Sequence, residues 1–400
     1  MNHFDVVVLG GGYAGMTAAD RILKAETGAS VLLVDAKAEF VERIRLHEIA
    51  AGASEGHYPY ASRMEMLGGS FLQGEVAAID PDRSTLLVAA WDGQQAEITY
   101  GSLIVAIGSR SNRHMVPGIK QNAICLDSVA EVRGLSEWAS TSRGRLVIVG
   151  GGLTAIEVAC EFAEQYPEIE VVMIGADELR PSSLPGGYDP AAVRHLRGTF
   201  DRLGVRFIEK ALVSAIHPQQ VKLQDRETIT FDRCIWAAGF VVPDLAQRSG
   251  IATTASGRIV CNPTLQSVSH RNIFAAGDIA EVHAEPGGLC RMSCAAGRPM
   301  GEAAAASVIN VLRNEAPAAF KFGYVFRCVS LGRKDGLIQF VDLTDRPMKE
   351  IWTGERAARW KEYVCRRTVA GVGMAEDLEA PDTPPVAATS QQALMYLAEG

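Results

Sequence analysis

Two stretches of this 400-residue chain carry the same pattern of apolar and small residues. Val6-Val7-Val8-Leu9 runs unbroken into Gly10-Gly11-Gly12, and Leu146-Val147-Ile148-Val149 runs unbroken into Gly150-Gly151-Gly152. A short continuous apolar run is what a strand buried on both faces needs, as in a parallel sheet. After each glycine cluster the apolar positions recur at helical spacing, from Met16 to Leu23 and from Ile156 to Phe162. Each stretch therefore predicts a strand, a tight turn and a helix.

Val31 to Asp35 reads as the next strand of the first unit. Residues 71–107 are strand-like, with turn signals at Asp80-Pro81-Asp82 and Asp92-Gly93, and they end in Leu103-Ile104-Val105-Ala106-Ile107-Gly108. Pro117-Gly118 marks a linker. A second unit begins near Arg145, runs to about residue 255 and closes with a β-meander and the strand Cys234 to Gly239. Asn272 to Asp278 is a strand running into Gly277-Asp278, followed by an Ala-rich helix from about Gly297 to Leu312. Residues 320–374 mix strand and helix signals, with a turn at Gly332 to Gly336 and a helix from Glu355 to Arg367. The acidic, Pro-rich stretch from Glu376 to Pro385 predicts a loosely ordered tail.

The glycines suggest a chemistry. In a G-x-G-x-x-G/A turn the first glycine permits the tight turn, the second lets backbone approach a pyrophosphate, and the third, or an alanine, lets helix and strand pack closely. Gly10, Gly12 and Gly15 fill this pattern, as do Gly150, Gly152 and Ala155. The phosphates then lie at a helix N-terminus. Asp35 falls about 20 residues after Gly15, where an acid meets the ribose hydroxyls of an adenine dinucleotide.

At this length two or three domains are expected. Apolar content of 48% with 22% charged residues is that of a soluble globular protein, and no apolar run is long enough for a membrane span. A net charge of -8 argues against general nucleic-acid binding. The first strand starts within about four residues of the N-terminus, which leaves no room for a signal peptide, so a cytoplasmic location is expected. The 8 cysteines are scattered without a disulfide-framework spacing. No metal site is expected.

As an ordered set these motifs resemble the two-dinucleotide-binding-domain flavoproteins of the pyridine nucleotide-disulfide oxidoreductase superfamily. The segment Gly150 to Glu161 looks most like type II NADH dehydrogenases and the related quinone-reducing and apoptosis-inducing-factor-like proteins. The resemblance spans roughly residues 4–320. It implies an α/β fold with two Rossmann-like domains and a small C-terminal α+β domain. FAD binding would fall to residues 1–112 and 256–320, NAD(P)H binding to 113–255, an interface domain to 321–374 and the tail to 375–400. The resemblance further implies that FAD lies on Gly10, Gly12, Tyr13, Ala14 and Gly15, with Asp35 and Ala36 at the adenosine ribose. Gly108 would lie beside the flavin, and Gly277 and Asp278 near the pyrophosphate and ribityl chain. Arg43 is a candidate partner for the pyrophosphate or a substrate anion. NAD(P)H would lie on Gly150, Gly152 and Ala155, with Glu157 near the nicotinamide and Gly239 at the domain strand end. Candidate catalytic groups are Glu157, His47 as a proton donor, and Cys294.

Three departures from the family pattern shape the functional expectation. Phe40 to Ala50 holds no cysteine where the disulfide reductases carry C-x4-C, which excludes that thiol relay; Cys290 and Cys294 form only a later C-x3-C pair. Ser293 to Gly301 lacks both glutamines of the A-Q-x-A-x-Q-like quinone motif. The strand Glu170 to Gly175 ends in glycine where an NAD-preferring site places an acid, so NADPH is permitted. The expected activity is hydride transfer from NAD(P)H to FAD and onward electron transfer to a quinone-like or other small acceptor. A biosynthetic flavoenzyme acting on a small metabolite and a slow redox-sensing or protein-binding flavoprotein are the alternatives. A homodimer is compatible with the sequence. Trp352, Trp360, Val364 and Val369 interleave with Arg356, Arg359, Lys361, Arg366 and Arg367, a composition shared by interfacial helices and by helices packed on their own protein; the second is favoured, with peripheral membrane association as the lesser expectation.

Overall fold

The computed structural model describes residues 2–225, 228–376, 379 and 381; most of the expected tail, 375–400, lies outside the described residues. Strand β1 (Asn2–Leu9) passes through its glycine turn into α1 (Tyr13–Lys24), and β2 (Val31–Asp35) returns parallel to β1. Short helices α2 (Leu46–Ala50) and α3 (Tyr60–Met66) lead to β3 (Ser70–Asp80), β4 (Thr85–Ala90) and β5 (Gln95–Val105). β3 pairs first with β2 and then with β4, while β5 pairs first with β4 and then with β1, so the sheet closes on itself. Val7, Leu9, Leu32, Val34, Leu86 and Val88 fill the space it encloses.

The chain leaves through β6 (Arg110–Ser111), α4 (Ile119–Asn122), β7 (Ile124–Cys125) and α5 (Val129–Thr141). It then builds a second, parallel sheet from β8 (Arg145–Val149), α6 (Leu153–Gln165), β9 (Glu170–Ile174), α7 (Pro190–Leu203) and β10 (Arg206–Ile208). A meander, β11 (Val213–His217), β12 (Gln220–Leu223) and β13 (Ile229–Thr230), precedes β14 (Arg233–Trp236). The parallel order is β10-β9-β8-β14-β7. Helix α7 shows why the boundaries fall where they do: Asp189 caps the Ala191 amide at 2.8 Å, Pro190 stands at the first position, and Gly204 ends the helix at φ +70.

The return strand β15 (Phe240–Val241) runs antiparallel to β6, so the two crossings between the sheets form one ribbon. After α8 (Leu245–Arg248) and β16 (Ile259–Val260), β17 (Ile273–Ala275) joins β5 and completes the first sheet. Strands β18 (Ala280–Glu281), β19 (His283–Pro286) and β20 (Gly288–Leu289) precede α9 (Cys294–Leu312), and β21 (Lys321–Phe322) follows it. The Ala-rich helix thus starts one turn before the expected Gly297. Its small residues allow a close crossing: a side chain at Gly301 would meet the Ala14 carbonyl of α1 at 2.2 Å.

Strands β22 (Phe326–Ser330), β23 (Gly336–Val341) and β24 (Pro347–Thr353) form an antiparallel sheet covered by α10 (Gly354–Gly371). Trp352 and Trp360 are buried edge to face at 5.6 Å, and Phe340 and Tyr363 extend the aromatic cluster. The apolar face of α10 is therefore spent on its own sheet. Among the described residues, no helix is long and apolar enough to cross a membrane.

The buried Asp335, in the β22–β23 turn, ties this last layer to the second sheet. One carboxylate oxygen accepts from His195 Nε2 at 3.0 Å, Gly336 N at 2.8 Å and Gly354 N at 3.0 Å; the other accepts from Thr199 at 3.0 Å and Arg202 at 2.7 Å. Gly354 is the first residue of α10, so the charge also faces a helix N-terminus. Burial opposes ionisation, yet the bonds from His195 and its other donors hold the carboxyl down to about 2. A depressed carboxyl stabilises the fold above its unfolded pKa, and that contribution disappears as pH falls through the folded value. Asp335→Asn is therefore expected to lower the unfolding free energy at pH 7 by on the order of 2 kcal/mol. The gap to the native protein should close between pH 4 and pH 2, as read by urea denaturation; a gap unchanged across that range would sink the account.

Candidate functional site

At the first glycine turn the backbone itself makes the concavity. Gly10 has φ +93, and a side-chain carbon there would meet the Ala106 carbonyl at 2.5 Å; one on Gly15 would lie 1.8 Å from the Gly10 carbonyl. Those two glycines are required by packing. Gly12 differs, because a carbon added there meets nothing within 4 Å. Gly12 is also the N-cap of α1, with no side-chain capping bond and no acid in the first turn. The first amides of a helix need partners, and these face open space that suits an anion.

The other residues expected around this turn lie around it. Asp35, at the end of β2, accepts from Gly11 N at 2.6 Å and Lys37 N at 2.7 Å. Ala36 is exposed beside it, its carbonyl 3.3 Å from Gln73 Nε2. Gly277, at φ +75, comes within 3.2 Å of the Ala14 side chain as judged from an added carbon, and Asp278 accepts from Ser109 at 2.6 Å. Ser109 follows Gly108, and its carbonyl accepts from Arg43 at 2.5 Å. Arg43 also reaches Asp127 at 3.4 Å. Tyr13 packs edge-on to Phe40 at 5.0 Å, and burial pushes its phenol far above the ordinary range.

The second turn repeats the arrangement. A carbon on Gly150 would meet the Ala237 carbonyl at 2.7 Å and Ala155 at 3.2 Å, whereas one on Gly152 meets nothing within 4 Å. Helix α6 starts at Gly152 without a side-chain cap or an acid in its first turn. Gly239, at φ +72, accepts from Asn112 N at 3.0 Å, so it belongs to the ribbon between the sheets.

Glu157 and His47 join neither turn. Glu157 is buried on α6, where it accepts from Lys361 Nζ at 2.9 Å and Ser330 N at 3.1 Å, with His47 Nδ1 at 4.0 Å. Burial opposes its ionisation, but Lys361 and His47 hold the carboxyl below the ordinary range. Burial likewise opposes the charge on Lys361, yet the neighbouring Cys328 and Glu157 hold the ammonium well above its usual value. One helical turn on from Glu157, Glu161 pairs with Arg333, which also bonds Glu48 at 3.2 Å. Arg45 adds Glu42, Glu48 and Glu362 to the same seam. A line of ion pairs thus joins α6, α2 and α10.

Cys290 and Cys294 do not form a couple here. Cys290 is fully buried, whereas Cys294, the first residue of α9, is exposed, and both thiols are free. Cys125, Asp127 and Glu131 converge closely enough for a cation, but Arg113 already binds Asp127 at 3.0 Å and Glu131 at 2.5 Å. Sequence reasoning missed Ser109, Ser330 and the inward role of Lys361. Only Gly297 and Gly301, one helical turn apart, signalled the close crossing of α9 over α1.

Comparison with known proteins follows the same lines. The model of the pyridine nucleotide-disulphide oxidoreductase family matches residues 4–306. An NADH dehydrogenase-like protein of Mycobacterium tuberculosis is 28% identical over 353 residues, covering 82% of this chain and 85% of that one. A type II NADH:quinone oxidoreductase of Haemophilus influenzae is 25% identical over 380 residues, covering 82% and 85%. Among solved structures, the sulfide:quinone oxidoreductase of Aquifex aeolicus superposes with a TM-score of 0.76 over 93% of this chain and 92% of that one, at 19% identity, which speaks to the fold.

Breaking a buried pair leaves one charge without its partner, at a cost of about 3 to 5 kcal/mol. Lys361→Met is expected to destabilise the protein by about that amount. Adding Glu157→Gln should recover at least half, because both charges are then gone. Chemical denaturation of the two single variants and the double variant measures the coupling; strictly additive losses would refute the pairing.

Proposed function

Because the chain belongs to the pyridine nucleotide-disulphide oxidoreductase family, we propose that it passes electrons from NADH or NADPH through FAD to a quinone-like or other small acceptor. The chain is an NADH dehydrogenase-like flavoprotein oxidoreductase. The observation that carries the proposal is the pair of uncapped helix starts, at Gly12 and Gly152, each behind a strand end buried on both faces and a glycine turn. Two separate anion cradles in one chain suit two dinucleotides.

FAD, when bound at the first turn, supplies the two-electron chemistry that links nucleotide to acceptor. The chain's own residues bind and orient. Gly12 lets the pyrophosphate approach, the α1 amides and Arg43 meet its charge, Asp35 takes the adenosine ribose, and Asp278 takes hydroxyls of the ribityl chain. Gly150, Gly152 and Ala155 serve NAD(P)H in the same way. Lys361 keeps its proton through neutral pH beside Glu157 and supplies a fixed positive charge against the nucleotide helix. No side-chain nucleophile is needed.

In this reading residues 1–112 with 256–320 hold FAD, 113–255 hold NAD(P)H, and 321–374 shape the acceptor side. The name of the Haemophilus relative puts a quinone first among the acceptors. The missing glutamines before Gly301 favour a small soluble one over a membrane quinone, and the covered apolar face of α10 fits work in the cytoplasm.

Anaerobic titration of the FAD-loaded protein with NADH and NADPH tests the proposal. Either nucleotide should bleach the flavin at once, and a soluble quinone should restore its colour; a flavin that neither nucleotide reduces would refute the reading. The two kinds of glycine also separate. Gly12→Val should fold with a melting temperature within about 3 °C of the FAD-free native protein and purify colourless, whereas Gly15→Val should fail to fold because its side chain runs into backbone. A yellow Gly12→Val protein would remove FAD from the first turn.

A further inference from the structure

Gly151, in the second turn, and Gly175, just past β9, share a neighbour that the sequence pattern does not announce. A side-chain carbon on Gly175 would meet the Phe207 ring at 2.8 Å, and one on Gly151 would lie 3.6 Å from Gly175 Cα and 3.7 Å from the same ring. Phe207 comes from β10, where it pairs with Met173 of β9. Both backbone groups of Gly175 are bonded to that neighbouring segment: its N–H donates to the Ile208 carbonyl at 2.9 Å, and its carbonyl accepts from Ala211 N at 2.9 Å. The ring is only partly buried although it packs edge-on to Phe200 at 6.0 Å. An aromatic surface therefore lies between the glycine turn and the end of β9, where a carboxylate would otherwise meet the ribose.

The nearby acids of the rim are paired with cations. Glu178 binds Lys210 at 2.7 Å, and Glu209 binds Arg197 at 2.8 Å while also accepting from Leu179 N at 2.7 Å. Asp177 is exposed in the loop that leaves the strand.

Resting on the reading of this turn as the NAD(P)H site, we propose that Phe207 holds the place a discriminating carboxylate would take and so leaves the site without nucleotide specificity. Its ring carries the adenosine half of the nucleotide by contact, no carboxylate claims the 2′-hydroxyl, and the site takes NADPH as readily as NADH. Specificity is a difference between two affinities. A carboxylate at this position creates that difference twice, by accepting from the 2′-hydroxyl and by repelling a 2′-phosphate. An aromatic ring does neither. It adds apolar contact common to both nucleotides, so it raises both affinities and leaves their ratio near one.

The same geometry changes what a substitution at Gly175 does. An acid there cannot reach the ribose without first displacing the Phe207 ring, so Gly175→Glu would weaken both nucleotides rather than NADPH alone. Space for an acid exists only when the ring is removed.

The test uses the purified full-length protein, with 5′-AMP and 2′,5′-ADP as probes in calorimetry and NADH and NADPH in anaerobic flavin reduction. The native protein should bind the two probes within about threefold of each other. Phe207→Ala should weaken both by about five- to tenfold with the ratio unchanged. Gly175→Asp alone should weaken both and lower the melting temperature. The double variant Gly175→Asp with Phe207→Ala should regain that stability and prefer 5′-AMP and NADH by about thirtyfold or more. A native protein that already rejects 2′,5′-ADP by more than about thirtyfold, or a Phe207→Ala variant with both affinities intact, would overturn the proposal. Binding of neither probe, with flavin unreduced by both nucleotides, would instead overturn the reading of the turn as a nucleotide site.

Discussion

A helix leaves its first amide groups without partners, and most helices cover them with a polar side chain. In this chain α1 and α6 are preceded by a glycine N-cap with no such bond, behind strands whose last four residues are buried. Much of the remaining architecture can be read as a consequence. The amides can stay open only if nothing fills the space before them, and within the two turns Gly12 and Gly152 are the positions at which an added carbon would meet nothing within 4 Å. Their neighbours Gly10, Gly15 and Gly150 are glycine for the opposite reason, since backbone crowds them on the inner side. The turn is tight behind and empty in front.

The two cradles are useful together only if their helices hold a constant relation, and charge supplies much of that constraint. Glu157 and Glu161, one turn apart on α6, meet Lys361 and Arg333. Asp335 bonds α7 and the first amide of α10 at once. Burying such groups costs desolvation, so the seam is weak as a source of net stability. Its value lies in orientation: a carboxylate with several donors has one arrangement that satisfies them all, whereas apolar contacts tolerate sliding. On the proposed function, nucleotide at the start of α6 and an acceptor near α10 would thereby share a rigid frame.

How much of this was legible depended on the range of the interaction. β2 was read at Val31 to Asp35 and lies there, because a buried parallel strand writes its whole length as apolar residues. Helices α1 and α6 begin three residues before the periodic positions, at Tyr13 and Leu153, since small residues packed against a turn leave no helical period. Asp35 bonds the first turn at Gly11 N, where its spacing from Gly15 put it. Glu157 was picked out for its place in the glycine-turn segment, yet its partner Lys361 lies on a helix whose pattern signalled only a basic face. Which side of α10 that lysine takes depends on the fold of β22 to β24. Phe207 was invisible for the same reason, as its role arises where β10 lies beside β9.

The contrast between Asp35 and Gly175 brings these constraints to one point. Both stand at the carboxyl end of the second strand of a βαβ unit, beside a glycine turn. Asp35 accepts from the turn itself, at Gly11 N, so its carboxylate is drawn over the cradle, where the proposed function gives it the ribose hydroxyls. Gly175 spends both backbone groups on the neighbouring strand segment and yields its side-chain space to an aromatic ring. In the proposed reading the first site thus holds one adenosine tightly, as a resident group requires. The second, as the proposed nucleotide site, would offer area without a fixed polar anchor for the ribose, and area without such an anchor favours exchange over retention. A site that must release its oxidised nucleotide on every turnover benefits from that looseness.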